Sequence, residues 1–257
     1  MIKESSKVEE VKFHDTYYQH GEHHTTRSWF ERCSEASYPS GLNHRAKMLE
    51  ALGDIKEKRV LELGCGSGEL TATLAGNGAC VSAIDVSLEA VKITQKKCEE
   101  FAERVTVQQI DANKLCRMDE TFDFVIGELI LHHLNCAKVA REIARMLRPH
   151  GRAVFVEPLA HNPFLNVWRR MTPNIRTSKE WPLSYSNIQE MGSYFSSVEY
   201  CEFGLLPLLS SLVFLLTLSR RAKTISGKYL ARLDTPFLRA CKPLRRYSCG
   251  VLIKLSN

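Results

Sequence analysis

A chain of 257 residues, 44% apolar and 25% charged, is long enough to bury a full core, which excludes a disordered or disulfide-stapled miniature and points to one large domain. Nine cysteines stand singly, without a C-x-x-C pair or an apolar leader ahead of the first charges, so no zinc or disulfide framework is expected and reduced thiols in the cytoplasm are. The net charge of +6 is uneven: Ser219 to Asn257 hold ten Lys or Arg against one acid, Asp234, so this tail carries +9 and the first 218 residues −3, a balance that suits an anionic neighbour.

Residues 1–41 are polar, with Tyr17, Tyr18, Trp29, Phe30 and several histidines, and read as a lid or helical arm ahead of the sheet. The run HGEHH at residues 20–24 has two histidines close enough to share a helical face, yet no cysteine or acid follows at a supporting spacing, so no metal is expected. Apolar residues at 42, 46, 49 and 52 make a helical stripe that Gly53-Asp54 ends. Arg59 to Leu63 then reads as a buried parallel strand that runs into Gly64, Gly66 and Gly68, a tight turn beside a ligand. A dinucleotide fingerprint would need its third glycine at position 69, where Glu69 stands, and this weakens a nicotinamide reading.

A helix over Glu69–Ala75 should stop at Gly76-Asn77-Gly78, and a second strand, Cys80–Ile84, should end at Asp85. Ser87 can cap the next helix, which runs to about Phe101 with Leu88, Val91, Ile93 and Thr94 inward. Val105–Val107 closes at Asp111-Ala112, and Phe122–Ile126 leads into GELILHHL. Ala137–Leu147 is helical, Arg148 to Gly151 breaks it, and Arg152–Val156 is a fifth strand. Glu157 to Pro182 has too many prolines for one helix. Ser197–Phe203 and Tyr247–Leu255 supply two more strands, and between them lies an insertion over residues 204–246 in the domain 42–257. Its apolar run, Leu205 to Leu218, falls short of the roughly 20 residues a spanning helix needs, so a buried or interfacial helix fits better.

Strands alternating with helices imply an α/β fold with a doubly wound parallel sheet, whose ligands sit beyond the strands' carboxyl ends. Glu62, Asp85, Asp111 and Glu157 would then share one crevice. Amides at the glycine turn suit a carboxylate, Glu62 an ammonium, Asp85 two ribose hydroxyls and Asp111 an exocyclic amine.

The run Glu62-Leu63-Gly64-Cys65-Gly66-Ser67-Gly68, with Asp85 and Asp111-Ala112 behind it, resembles the class I methyltransferases that use S-adenosylmethionine. FDFVIGELILHHL and RMLRPHGRAVFVEP are similar to the small-molecule branch, the resemblance covering about residues 42 to 158. EPLAHNPFLNVWRRMTPNIRT is also similar to an uncharacterised group of small-molecule methyltransferases. The resemblance implies a Rossmann-like sheet of seven strands with the last antiparallel, and S-adenosylmethionine held by Glu62, Gly64, Cys65, Gly66, Gly68, Asp85, Val86, Asp111, Ala112 and Glu128. His150 stands where the branch has glycine, and Cys65 is a variant inside the loop with no need to act as a nucleophile.

Methyl transfer is an in-line displacement, and a base is needed only when the acceptor must lose a proton. His133, His132 and Glu128 are the candidates past the fourth strand, with His133 preferred. Tyr18, His161, Trp168 and Arg176 are candidates for the acceptor side. No N/D-P-P-Y/F motif follows the fourth strand, so DNA is not an expected substrate. An apolar run beside basic residues favours a small lipophilic acceptor and contact with an anionic membrane, while burial against the sheet or a contact with a second copy explains the run equally well. An RNA methyltransferase using the basic tail and a non-catalytic cofactor-binding subunit remain as alternatives.

Overall fold

The computed structural model describes residues 2–19, 44–115, 121–171, 181–210, 217 and 219–257. The HGEHH run and Arg176 lie outside them, as does most of the stretch 211–218. The first elements are helix α1 (Ile2–Gln19), α2 (His44–Leu52), strand β1 (Arg59–Leu63), α3 (Glu69–Gly76), β2 (Cys80–Asp85), α4 (Leu88–Lys97) and β3 (Val105–Gln109). The chain continues with β4 (Phe122–Glu128), α5 (Cys136–Met146), β5 (Leu147–Pro158), α6 (Pro163–Met171), α7 (Tyr185–Gly192), β6 (Ser197–Phe203), α8 (Arg220–Ala240) and β7 (Gly250–Ser256).

The seven strands form one sheet in the order β3-β2-β1-β4-β5-β7-β6, and β7 runs antiparallel to both its neighbours. The order reverses between β1 and β4, and at such a switch point the loops leaving adjacent strands diverge and open a crevice. Most of β1 and β4 and the second half of β5, Ala153 to Val156, are buried because helices cover both faces of the sheet there. One layer sets Leu61, Leu63, Val125 and Phe155 against Val139, Ile143 and Met146 of α5. The other sets Val60, Ile126 and Val154 against Met48 and Leu52 of α2 and Leu70 and Leu74 of α3. The period of two puts Glu62 on the Val60 face, toward α3.

Three local expectations change. Helix α2 buries His44, Met48 and Leu52 with Leu49 packed partly against the core, while Ala46 is exposed, a shift of the stripe by part of a turn. Leu88 sits at the first position of α4 and is 43% exposed, because it lies off the side of the helix that buries Ala90, Val91 and Thr94. The Arg148–Gly151 break is absorbed within β5: Phe122 pairs with Leu147, the register shifts, and Phe124 pairs with Arg152. His150 takes a left-handed φ of 64° there, the backbone a glycine would favour. A helix, α6, also forms inside the proline-rich segment, with Pro163 at its first turn where no N–H is needed.

Candidate active site

Beyond β1 the chain turns through Gly64, Gly66 and Gly68, all with positive φ. Gly66, at φ 52°, has a second reason to lack a side chain: a Cβ there would lie 2.9 Å from the Tyr18 hydroxyl of α1. The loop is tied down by its own amides. Gly64 and Cys65 donate to the carbonyl of Ile84 at 2.8 and 3.1 Å, and Gly68 donates to Cys65 at 2.9 Å. Gly68 is a packing glycine, because its missing Cβ would meet Thr94 at 3.0 Å.

Around this turn lies a crevice lined by Glu62, Gly64, Cys65, Gly66, Asp85, Val86, Asp111, Ala112, Glu128 and His133, with Tyr18 and His14 contributed by α1. Asp85 accepts from Gly66 N at 3.0 Å and Ser87 N at 2.9 Å. Burial nonetheless drives its carboxyl above the usual carboxylate range. Asp111 accepts from Asn113 N at 3.0 Å and so caps the short turn Ala112–Lys114, while its face borders the crevice. Ser87 caps α4 through a bond from Ala90 N at 3.2 Å. On the α1 side, Asp15 accepts from Ser87 Oγ at 2.5 Å, and the helix packs across α4.

Two carboxyl groups in this crevice answer to opposite surroundings. Glu62 is 1% exposed, and burial pushes its pKa up to about 8, against a 2.6 Å bond from Thr71 Oγ1. Glu128, at the end of β4, is largely enclosed, but the Nε2 of His44 and the Nε of Arg45, the latter at 2.8 Å, hold it below the usual range. A buried carboxyl that keeps its proton for want of a cation is a receptor for one. Glu62, Asp85 and Arg45 all line this one crevice. Cys65 is 5% exposed and burial raises its pKa, which keeps a neutral thiol in the loop.

After Glu128 the backbone turns sharply. Leu129 takes a left-handed φ of 57°, and a Cβ on Gly127 would lie 2.6 Å from Ile130 and 2.9 Å from Phe155. Glu157 organises this turn. It is fully buried and accepts from Ile130 N at 2.8 Å, Leu131 N at 2.7 Å and His132 Nδ1 at 2.7 Å. Glu157 therefore does not face the crevice with the other acids; its carboxyl group is enclosed under the Leu131–His133 turn, holding that turn in place. His132 is drawn to it and does not line the crevice, while His133 does, with the ring of His14 5.5 Å away in an edge-on arrangement.

The remaining acceptor-side candidates lie apart. His161 stacks on Tyr185 at 5.5 Å, and Tyr185 donates to the buried Glu202 of β6 at 2.9 Å. Trp168 falls on α6. Sequence reasoning missed His14, His44 and Arg45. The sequence offered only a weak signal for the last two, a polar pair opening the helix that precedes β1, and nothing to link them to a residue 84 and 83 positions on. Among the described residues no cluster of His, Cys, Asp or Glu is arranged to hold a metal ion.

Residues 60–151 match the family described as a methyltransferase domain. Similar over somewhat longer stretches are two proteins named ubiquinone biosynthesis O-methyltransferase. The one from Alkalilimnicola ehrlichii is 33% identical over 116 residues, 44% of this chain and 47% of its own length. The one from Pseudomonas putida is 32% identical over 138 residues, 52% of this chain and 59% of its own length. The matched region thus spans about half the length of these relatives.

Among solved structures, phosphoethanolamine N-methyltransferase 2 of Haemonchus contortus, in complex with S-adenosylmethionine, superposes with a TM-score of 0.62 at 17% identity, over 93% of this chain and 60% of that one. Geranyl diphosphate C-methyltransferase of Streptomyces coelicolor gives 0.60 at 12%, over 83% and 78%. The [4+2]-cyclase SpnF gives 0.57 at 17%, over 83% and 79%. That a cyclase stands among them shows that likeness at this level is likeness of fold.

Proposed function

We propose, from the premise that residues 60–151 form a class I S-adenosylmethionine-dependent methyltransferase domain, that this chain transfers a methyl group to an oxygen or acidic carbon of a small lipophilic acceptor, leaving S-adenosylhomocysteine. The observation that carries the reading is that one crevice brings together Glu62, Asp85 and Asp111 on the donor side and His133 across from them. In this reading Asp85 holds the ribose hydroxyls with oxygens that keep spare lone pairs, and Val86, Asp111 and Ala112 border the base. Glu62 takes the ammonium and Arg45 the carboxylate. When bound, S-adenosylmethionine supplies an electrophilic methyl on a sulfonium centre.

The protein's own work is to align the acceptor, keep water out and take a proton. His14 and Tyr18 of α1 stand over the glycine turn, which makes α1 a cover for the site in this reading. In this reading His133 accepts the acceptor's proton, and Glu157 acts through the turn to hold His133 at the crevice. His132 and Glu128 are weaker bases for a stated reason: the first is bonded to Glu157 and the second is locked between His44 and Arg45. The name of the similar relatives speaks of O-methylation in ubiquinone biosynthesis, which favours oxygen and a lipophilic acceptor here as well.

The test incubates the full chain with methyl-labelled S-adenosylmethionine and a panel of lipophilic phenols and enolisable ketones, with mass spectrometry of products. Label on a phenol oxygen or enol carbon, reduced about 100-fold or more in His133→Ala at neutral pH, supports the reading. Label reaching only RNA, or no label on any acceptor despite cofactor binding, would sink it in favour of the RNA enzyme or the non-catalytic subunit.

A further inference from the structure

The insertion after β6 carries a surface that methyl transfer does not use. Helix α8 has one acid, Asp234, and it is buried: its carboxylate accepts from the backbone amides of Gly204, Leu205 and Leu206 at 2.6, 3.0 and 2.8 Å. This clamp fixes α8 to the end of β6. Phe203 pairs with Gly250, and Gly250 with Pro158, so α8 rises from the same carboxyl edge of the sheet as the crevice.

With Asp234, Ala231 and Leu238 turned inward, the opposite face of α8 holds two parallel rows. Ile225, Tyr229 and Leu233, four residues apart, are 46%, 63% and 58% exposed. Beside them Arg221, Lys228, Arg232 and Arg239 are all exposed, and Arg232 lies over the Tyr229 ring at 5.9 Å. An apolar row with one aromatic, flanked by cations and free of acids, is the pattern of a helix that lies in the plane of a bilayer surface with its basic stems reaching the head groups. RNA would need successive aromatics for stacking, and this face has one. No described helix is long and apolar enough to cross a membrane, so the contact is one of surface.

We infer that the outward face of α8 docks on an anionic lipid bilayer. The occupant follows from charge complementarity: the segment from Ser219 onward carries +9. Docking sets the crevice edge of the sheet beside the surface from which a lipophilic acceptor would come. The docking is read without any acceptor, so its failure would leave methyl transfer standing.

The experiment floats the full chain with vesicles of phosphatidylcholine alone or mixed with phosphatidylglycerol, at low and high salt. Flotation only with the anionic vesicles is expected, weakened by salt, reduced at least about tenfold in Lys228→Glu/Arg232→Glu and several-fold in Tyr229→Ser/Leu233→Ser, with unfolding transitions unchanged. Should a pair fail to fold, the single Arg232→Gln is measured in its place and weaker flotation is still required. Absence of wild-type flotation overturns the proposal, as does flotation indifferent to head-group charge or to these substitutions. A lipid-free dimer that the same substitutions dissociate would assign the face to a second copy instead.

Discussion

The two walls of the crevice are built by different means. The β1–β2 wall is backbone: a glycine turn whose amides bond to Ile84, Cys65 and Asp85, with Glu62 held by a threonine nine residues away. The β4 wall is side chains recruited from afar, with His44 and Arg45 on Glu128 and Glu157 beneath the turn that carries His133. Both walls bury carboxyl groups, and they leave them in opposite states. Burial raises the pKa of Glu62, whereas His44 and Arg45 hold that of Glu128 down. In the proposed reading the first wall is a receptor and the second a scaffold.

The largest break in that contrast should come from Glu157. Glu157→Ala strands three donors in a fully buried place and should cost about 3–5 kcal/mol in urea unfolding, whereas Glu157→Gln keeps an acceptor oxygen and should cost less. Equal and small losses would mean that Glu157 does not hold the wall.

The pH dependence separates the two carboxyl groups. Glu62 rises from 4.5 to about 8, so the folded state binds a proton the unfolded state has released between those values. Its contribution is fully present below pH 4.5, is lost as pH rises through about 8, and amounts to at most about 4–5 kcal/mol for the ligand-free protein. Glu128 has the opposite sign. Its depressed pKa gives stability that is present above the ordinary value of 4.5 and lost as pH falls through the folded one. Unfolding measured from pH 3 to 9 should therefore show loss at both ends, and Glu62→Gln should flatten only the upper one.

A finer prediction couples the walls. Removing the charge of Glu128 with Glu128→Gln takes away one of the influences that raise Glu62, so the upper limb should move to lower pH, with a stability loss of about 1–3 kcal/mol from the stranded cations. The smallest effect lies far from the crevice. His150→Gly relieves a left-handed residue and should stabilise by about 0.5–1 kcal/mol with cofactor binding unchanged.

What was legible in the sequence follows the same division. The strand, the glycine turn, Asp85 and the Ser87 cap are local patterns, where residue type and spacing dictate backbone shape, and they appear in the structure as read. The same holds for the sheet itself, down to β6 at Ser197–Phe203. Glu157 was misplaced because the strand-end rule gives its position but not which side of the turn its side chain takes. His44 and Arg45 went unseen because their meaning depends on a partner 84 and 83 residues away. Asp234 reads in the sequence as a lone acid in a basic tail; only the fold reveals it as the clamp on three amides.

The most direct test of the account is a calorimetric titration of the full chain with S-adenosylhomocysteine. One-to-one binding is expected, weakened about 100-fold or more in Asp85→Ala, which removes a charged acceptor of two hydrogen bonds. No binding by the wild-type protein, or equal binding by a folded Asp85→Ala, would contradict it.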